Sequence, residues 1–130
     1  MRRNTVLIIM SLLSIVLLSL HLTDDIVYGG DRSPVSNVVV IAILVIWLYG
    51  ALVLAERRSG YAIMLLGSVA GIVVFAVHDS RAGGLPAGSL AESSGPFFFV
   101  WTLLVLATTS VFSGILAALE LWNLRSSKAQ

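Results

Sequence analysis

Long apolar runs separated by short polar stretches organise this chain. Val6 to Leu22, Val38 to Ala55, Tyr61 to Val77 and Phe97 to Leu119 hold no Asp, Glu, Lys, Arg or Pro, and one histidine, His21. A helix needs about 20 mostly apolar residues to cross a hydrocarbon core of about 30 Å, and each run comes close to that length. The pattern predicts spans at about 5–23, 37–55, 61–78 and 97–120. Glu56-Arg57-Arg58-Ser59-Gly60 leaves so short a turn that the second and third spans must be antiparallel neighbours. The expected fold class is therefore an all-α membrane protein: four antiparallel transmembrane helices in one bundle, forming a single domain over residues 1–130. The outer connections run from Thr23 to Asn37 and from His78 to Pro96, the latter rich in Gly, Ser and Ala and read as a surface loop.

Composition strengthens that reading. Of 130 residues, 58% are hydrophobic and 12% charged, and the mean hydropathy is +0.98. A soluble domain carries about 25% charged and about 45–50% apolar residues. The lipid bilayer is thus the expected partner. The first run resembles a signal peptide, with Arg2 and Arg3 ahead of it, but Ser19-Leu20-His21 and Leu22-Thr23-Asp24 lack the small residues of a cleavage site. It is read as a retained span. Arg2, Arg3, Arg57, Arg58, Arg125 and Lys128 fall on one side of the spans, whereas Arg32 and Arg81 fall on the other. Because Lys and Arg stay on the cytoplasmic side, this asymmetry predicts a multi-pass protein of the cytoplasmic (inner) membrane with both termini cytoplasmic. A net charge of +1 gives no basic face for nucleic acid, which is excluded as a partner. With no cysteine in the chain, thiolate metal sites, disulfides and thiol nucleophiles are excluded as well.

Within lipid, helices associate through small residues and cross-helix hydrogen bonds rather than the hydrophobic effect. Gly67 and Gly71 on the third span, and Ser110, Gly114 and Ala118 on the fourth, have the spacing of such packing surfaces, with Thr109, Ser113 and Ala117 on the adjoining strip. Tyr28, Tyr61, Trp101 and Trp122 fall at span ends, where amphipathic rings sit at headgroup level. Trp47 and Tyr49 lie deeper and are assigned to core packing.

One cluster of residues could carry chemistry. If the first helix continues past the hydrocarbon edge, His21 shares a face with Asp24 and Asp25, and below it with Leu18, Ser14 and Ser11. His78 shares a face with Gly67 and Gly71, and Asp79 follows it. Counted from the inner edge at about 1.5 Å per residue, the two imidazoles lie at about 24 and 26 Å, a common depth. His21, Asp24, Asp25, His78 and Asp79 thus form a candidate site at the outer rim. Imidazole with carboxylate suits a transition metal, paired imidazoles suit haem, and a His–Asp pair suits proton handling. Against this stands a purely structural reading, with the histidines bonding at helix ends and the aspartates in solvent; no cofactor is the leading expectation. Glu56 sits in the inner turn and Glu120 near Arg125, solvated or paired. No carboxylate occupies mid-span, which argues against a proton-coupled exporter. Gly-x-Ser-x-Gly, Walker and HExxH patterns are absent, so hydrolase and nucleotide readings lack support and no catalytic residue is assigned; the sequence leans away from an enzyme without deciding it.

His21-Leu-Thr-Asp-Asp25, Trp47-Leu-Tyr-Gly50, Leu54-Ala-Glu-Arg-Arg-Ser-Gly-Tyr61 and Phe97-Phe-Phe-Val-Trp-Thr-Leu103 resemble a group of uncharacterised small bacterial four-span membrane proteins. The resemblance implies a bacterial four-helix membrane protein and no activity. The expected function is that of a structural, interaction or accessory subunit, binding itself or another membrane protein.

Overall fold

The computed structural model describes residues 2–28, 34–81 and 94–126, with side chains except at 24, 25, 27, 28, 34–36, 78–81, 94–97 and 99. Four helices follow one another: α1 (Arg3–Tyr28), α2 (Pro34–Leu52), α3 (Arg58–Arg81) and α4 (Ser94–Ser126). They pack as one all-helical bundle. α4 makes the most extensive contacts, against both α3 and α1; α2 rests on α3 and, less, on α1. α1 and α3 touch across the diagonal, while among the described residues α2 and α4 do not meet.

Among the described residues, three helical segments are long and apolar enough to cross a membrane: Arg3–Thr23, Arg58–Val77 and Val100–Ser126. The apolar part of α2 among the described residues, Asn37–Leu52, is shorter than these. Two boundaries explain the difference from the span expected at 37–55. Pro34 opens α2, a position where its missing N–H costs nothing. At the other end α2 stops at Leu52, although Val53, Leu54 and Ala55 are apolar. Here Val53 and Leu54 N–H both donate to the Tyr49 carbonyl, and Arg57 N–H donates to that of Leu54. Gly60 then passes so close to the Leu54 carbonyl that any Cβ would collide with it. Hydropathy alone does not register this reversal, because the turn is built from residues as apolar as the helix.

The outer connections are also more helical than expected. α1 runs on to Tyr28, α3 to Arg81, and α4 begins at Ser94.

The distribution of polarity is the reverse of a water-soluble bundle. Ser11, Ser14, His21, Ser68, Thr102, Thr109, Ser110 and Ser113 are buried, while Val16, Leu66, Phe112, Ile115 and other large apolar side chains face outward. Such an exterior would be a large apolar patch in water and is ordinary in hydrocarbon. Hydroxyls off the main seam bond to their own helix: Ser19 to the Ile15 carbonyl, Ser68 to that of Met64, Thr102 to that of Phe98 and Thr108 to that of Leu104. These back-bonds satisfy hydroxyls that would be costly to leave unpaired away from water.

Candidate functional site: the α1–α4 seam and the outer rim

The two helices of the seam run antiparallel in a fixed register. At the base, the Arg3 guanidinium donates to Glu120 in an ion pair. One turn on, Leu7 and Ala117 are both fully buried. Ser11 and Ser113 hydroxyls follow, 2.7 Å apart, and then Ser14 donates to Thr109 Oγ1 at 2.9 Å. The Thr109 hydroxyl donates in turn to the Val105 carbonyl at 2.9 Å. Each step of three or four residues along α1 is matched by one of three or four back along α4, the spacing of a helix face. Continued at the same spacing, the buried faces run through Leu18 to His21 on α1 and through Leu106 to Thr102 and Leu103 on α4.

His21 therefore ends the seam. Its side chain is 2% exposed, and it lies on the face of Ser11, Ser14 and Leu18 expected from spacing. The backbone of α1 is helical through Asp24 and Asp25, and that of α3 through His78 and Asp79. The side chains of those four candidates lie outside the described residues. Among the described residues no three His, Cys, Asp or Glu side chains group as metal ligands.

The seam is not a continuous hydroxyl chain. Leu7, Leu18, Leu106 and Ala117 are buried in the same apolar cluster, and the Ser14 hydroxyl also donates to the Met10 carbonyl at 3.0 Å. Among the described residues, the two hydroxyl pairs join α1 to α4 at separate levels of the seam.

The small residues of the third and fourth helices divide their work. Gly71 lies against Ser110, and Gly114 against Ser68, whose Cβ is 3.4 Å from where a Cβ on Gly114 would stand. Gly67 instead receives the indole of Trp47 from α2. Ala118 is exposed, and its neighbour Ala117 is the residue buried against α1. Trp47 is 1% exposed, and its Nε1 has no hydrogen-bond partner among the described residues. Tyr49, by contrast, is 52% exposed. Beside Trp47, Ile43, Ile46, Ile63, Leu66, Gly67 and Ala70 line an apolar groove of about 250 Å³ between α2 and α3. It offers no ionisable group.

Two contacts at the base were not expected from spacing. Glu120 pairs with Arg3, 117 positions away, rather than with nearby Arg125. Asn4 Nδ2 donates to Glu56 at 3.3 Å, bringing the α2–α3 turn to the same end. Tyr61, expected as a headgroup anchor, is buried in the core cluster; Trp101 and Trp122 are exposed.

No family model, no curated protein and no solved structure matches the chain.

Proposed function

We propose that this protein is a small four-pass protein of the bacterial inner membrane, both termini cytoplasmic, acting as a structural or accessory subunit. The observation that carries the reading is the uneven attachment of the helices. Ser11, Ser14, Thr109 and Ser113 join α1 to α4 through buried hydroxyls. α2 buries only Trp47, Gly50 and Ala51 over 37–52, and leaves Val38, Ile41, Val45 and Leu52 bare. A helix held this lightly, with so much apolar surface free, suits packing against another membrane helix. The excess of Arg and Lys at the end bearing the termini supports the cytoplasmic assignment.

Photo-crosslinking in native membranes tests the reading. A crosslinker at Val45 is expected to give one discrete protein adduct, and one at Phe112 on α4 none. Lipid adducts alone from both positions would remove this class. Labelling of Ser89→Cys by an impermeant thiol reagent in intact cells, with Ser127→Cys protected, tests the topology; the reverse pattern would overturn it.

A second reading rests on His21. An imidazole 2% exposed within a membrane bundle is costly, and such groups mark ion or proton sites by default. In this reading His21 joins Asp24, Asp25, His78 and Asp79 in a metal, haem or proton site at the outer rim, with the imidazoles as ligands and a carboxylate ligating or orienting one of them.

A further inference from the structure

Arg3–Glu120 and Asn4–Glu56 bring three separate parts of the chain to one end of the bundle: the start of α1, the α2–α3 turn and the last turns of α4. Arg2, Arg3, Arg57, Arg58 and Arg125 all gather there, against two carboxylates, Glu56 and Glu120. The carboxylates are already engaged. Glu120 is neutralised by Arg3, and Glu56 is turned to the Asn4 amide. Arg2, Arg57, Arg58 and Arg125 are exposed and form no ion pair among the described residues. Trp122, one turn before Arg125 on the same face, is 69% exposed, as an indole at headgroup level is.

We propose that this end of the bundle binds the phosphodiester headgroups of anionic phospholipids, with Arg2, Arg57, Arg58 and Arg125 as the contacts and Trp122 marking their depth. Guanidinium forks match phosphate oxygens bidentately, and they do so beside the apolar surface that the acyl chains of the same lipid would cover. Helix α4 supplies both elements: Arg125 for the headgroup, and Leu119 and Trp122 for the chain region below it. The inference concerns the end of the molecule, not the side of the membrane, so it stands or falls apart from the proposed topology and from the accessory role.

The test is lipid selectivity of the full chain reconstituted in mixed phosphatidylglycerol–phosphatidylcholine bilayers, read from the immobilised fraction of each spin-labelled lipid. Phosphatidylglycerol is expected at the protein boundary in several-fold excess over phosphatidylcholine, with the excess falling as salt rises. Each arginine removed is expected to lower the preference by up to about fivefold at low salt, since a cation near an anionic surface contributes about that factor. Arg57→Gln/Arg58→Gln/Arg125→Gln should therefore lose the preference, and the corresponding Lys triple should keep most of it. Single Arg125→Gln, on an exposed helix end, gives a partial loss even if the triple variant fails to fold. Equal immobilisation of both lipids by the wild type, or an unchanged preference in Arg125→Gln and the Gln triple, would overturn the proposal. So would displacement of phosphatidylglycerol by inorganic phosphate beyond the effect of chloride at equal ionic strength, which would make this a site for the free anion.

Discussion

Ser14 on α1 donates to Thr109 on α4 across 2.9 Å of buried interface, and one turn below them Ser11 meets Ser113 at 2.7 Å. Cross-helix hydroxyl pairs in membrane proteins contribute about 0.6 kcal/mol each on average and up to about 1.7. Ser14→Ala and Ser11→Ala are each expected to lower bundle stability by amounts in that range. A double-mutant cycle of Ser11→Ala with Ser113→Ala, followed by denaturant titration in micelles, should return a coupling of the same size. Strict additivity would remove the hydrogen bond from the account.

The register itself can be trapped. With no native cysteine, Ser11→Cys/Ser113→Cys places two thiols where hydroxyls lie 2.7 Å apart, within the adjustment a disulfide of about 2.05 Å requires. Mild oxidation should crosslink this pair in the membrane, whereas Ser11→Cys/Ala118→Cys should not, since Ala118 faces outward. Efficient crosslinking of both pairs would mean that the helices slide.

Four glycines should respond differently to alanine. At Gly60 the new Cβ meets the Leu54 backbone carbonyl, at Gly67 the Trp47 ring, at Gly71 the Ser110 hydroxyl, and at Gly114 only the Ser68 Cβ at 3.4 Å. Backbone cannot yield, so Gly60→Ala should be the most damaging. Gly67→Ala and Gly71→Ala are expected to cost about 1–3 kcal/mol, as overpacking does. Gly71→Ala should recover partly with Ser110→Ala, and Gly114→Ala should be nearly silent. Denaturation midpoints in detergent check the order, and a Gly114→Ala variant as weak as Gly67→Ala would contradict it.

For His21 the two readings separate by elemental analysis and absorption spectra of protein purified without chelator. The structural reading expects no stoichiometric metal, no Soret band, and a loss of about 0.5–3 kcal/mol of stability in His21→Ala, the ordinary range for a buried substitution. Metal or haem bound by the wild type and lost in His21→Ala would establish the outer-rim site instead.

Much of this molecule was legible from the order of its residues. Solvent preference is additive along a run, so the helices, their number and their apolar character follow from local composition. The inward face of α1 was legible too: Ser11, Ser14, Leu18 and His21 repeat at helical spacing, and helical spacing alone decides which side chains share a face. The end of α2 was not. Val53 to Ala55 are as apolar as the helix before them, and the reversal that follows brings Gly60 against the Leu54 carbonyl, a contact between two segments.

Which helix meets which face is likewise a tertiary matter. From spacing, Gly67 and Gly71 form one packing surface, and in the bundle they serve two neighbours, Trp47 of α2 and Ser110 of α4. Residues four apart on a helix differ by about 40° in direction, enough for adjoining partners to divide them. Glu120 had a cation close by in Arg125 and took Arg3 from the far end of the chain, because antiparallel packing places the first turn of α1 beside the last turns of α4. Sequence determined the helices, their apolar character, the faces they carry and the end to which the arginines fall; packing alone decided the register, the partners of each small residue and the choice of Arg3 as the arginine that pairs with Glu120. Those depend on distances between helices, which no local pattern of residues contains.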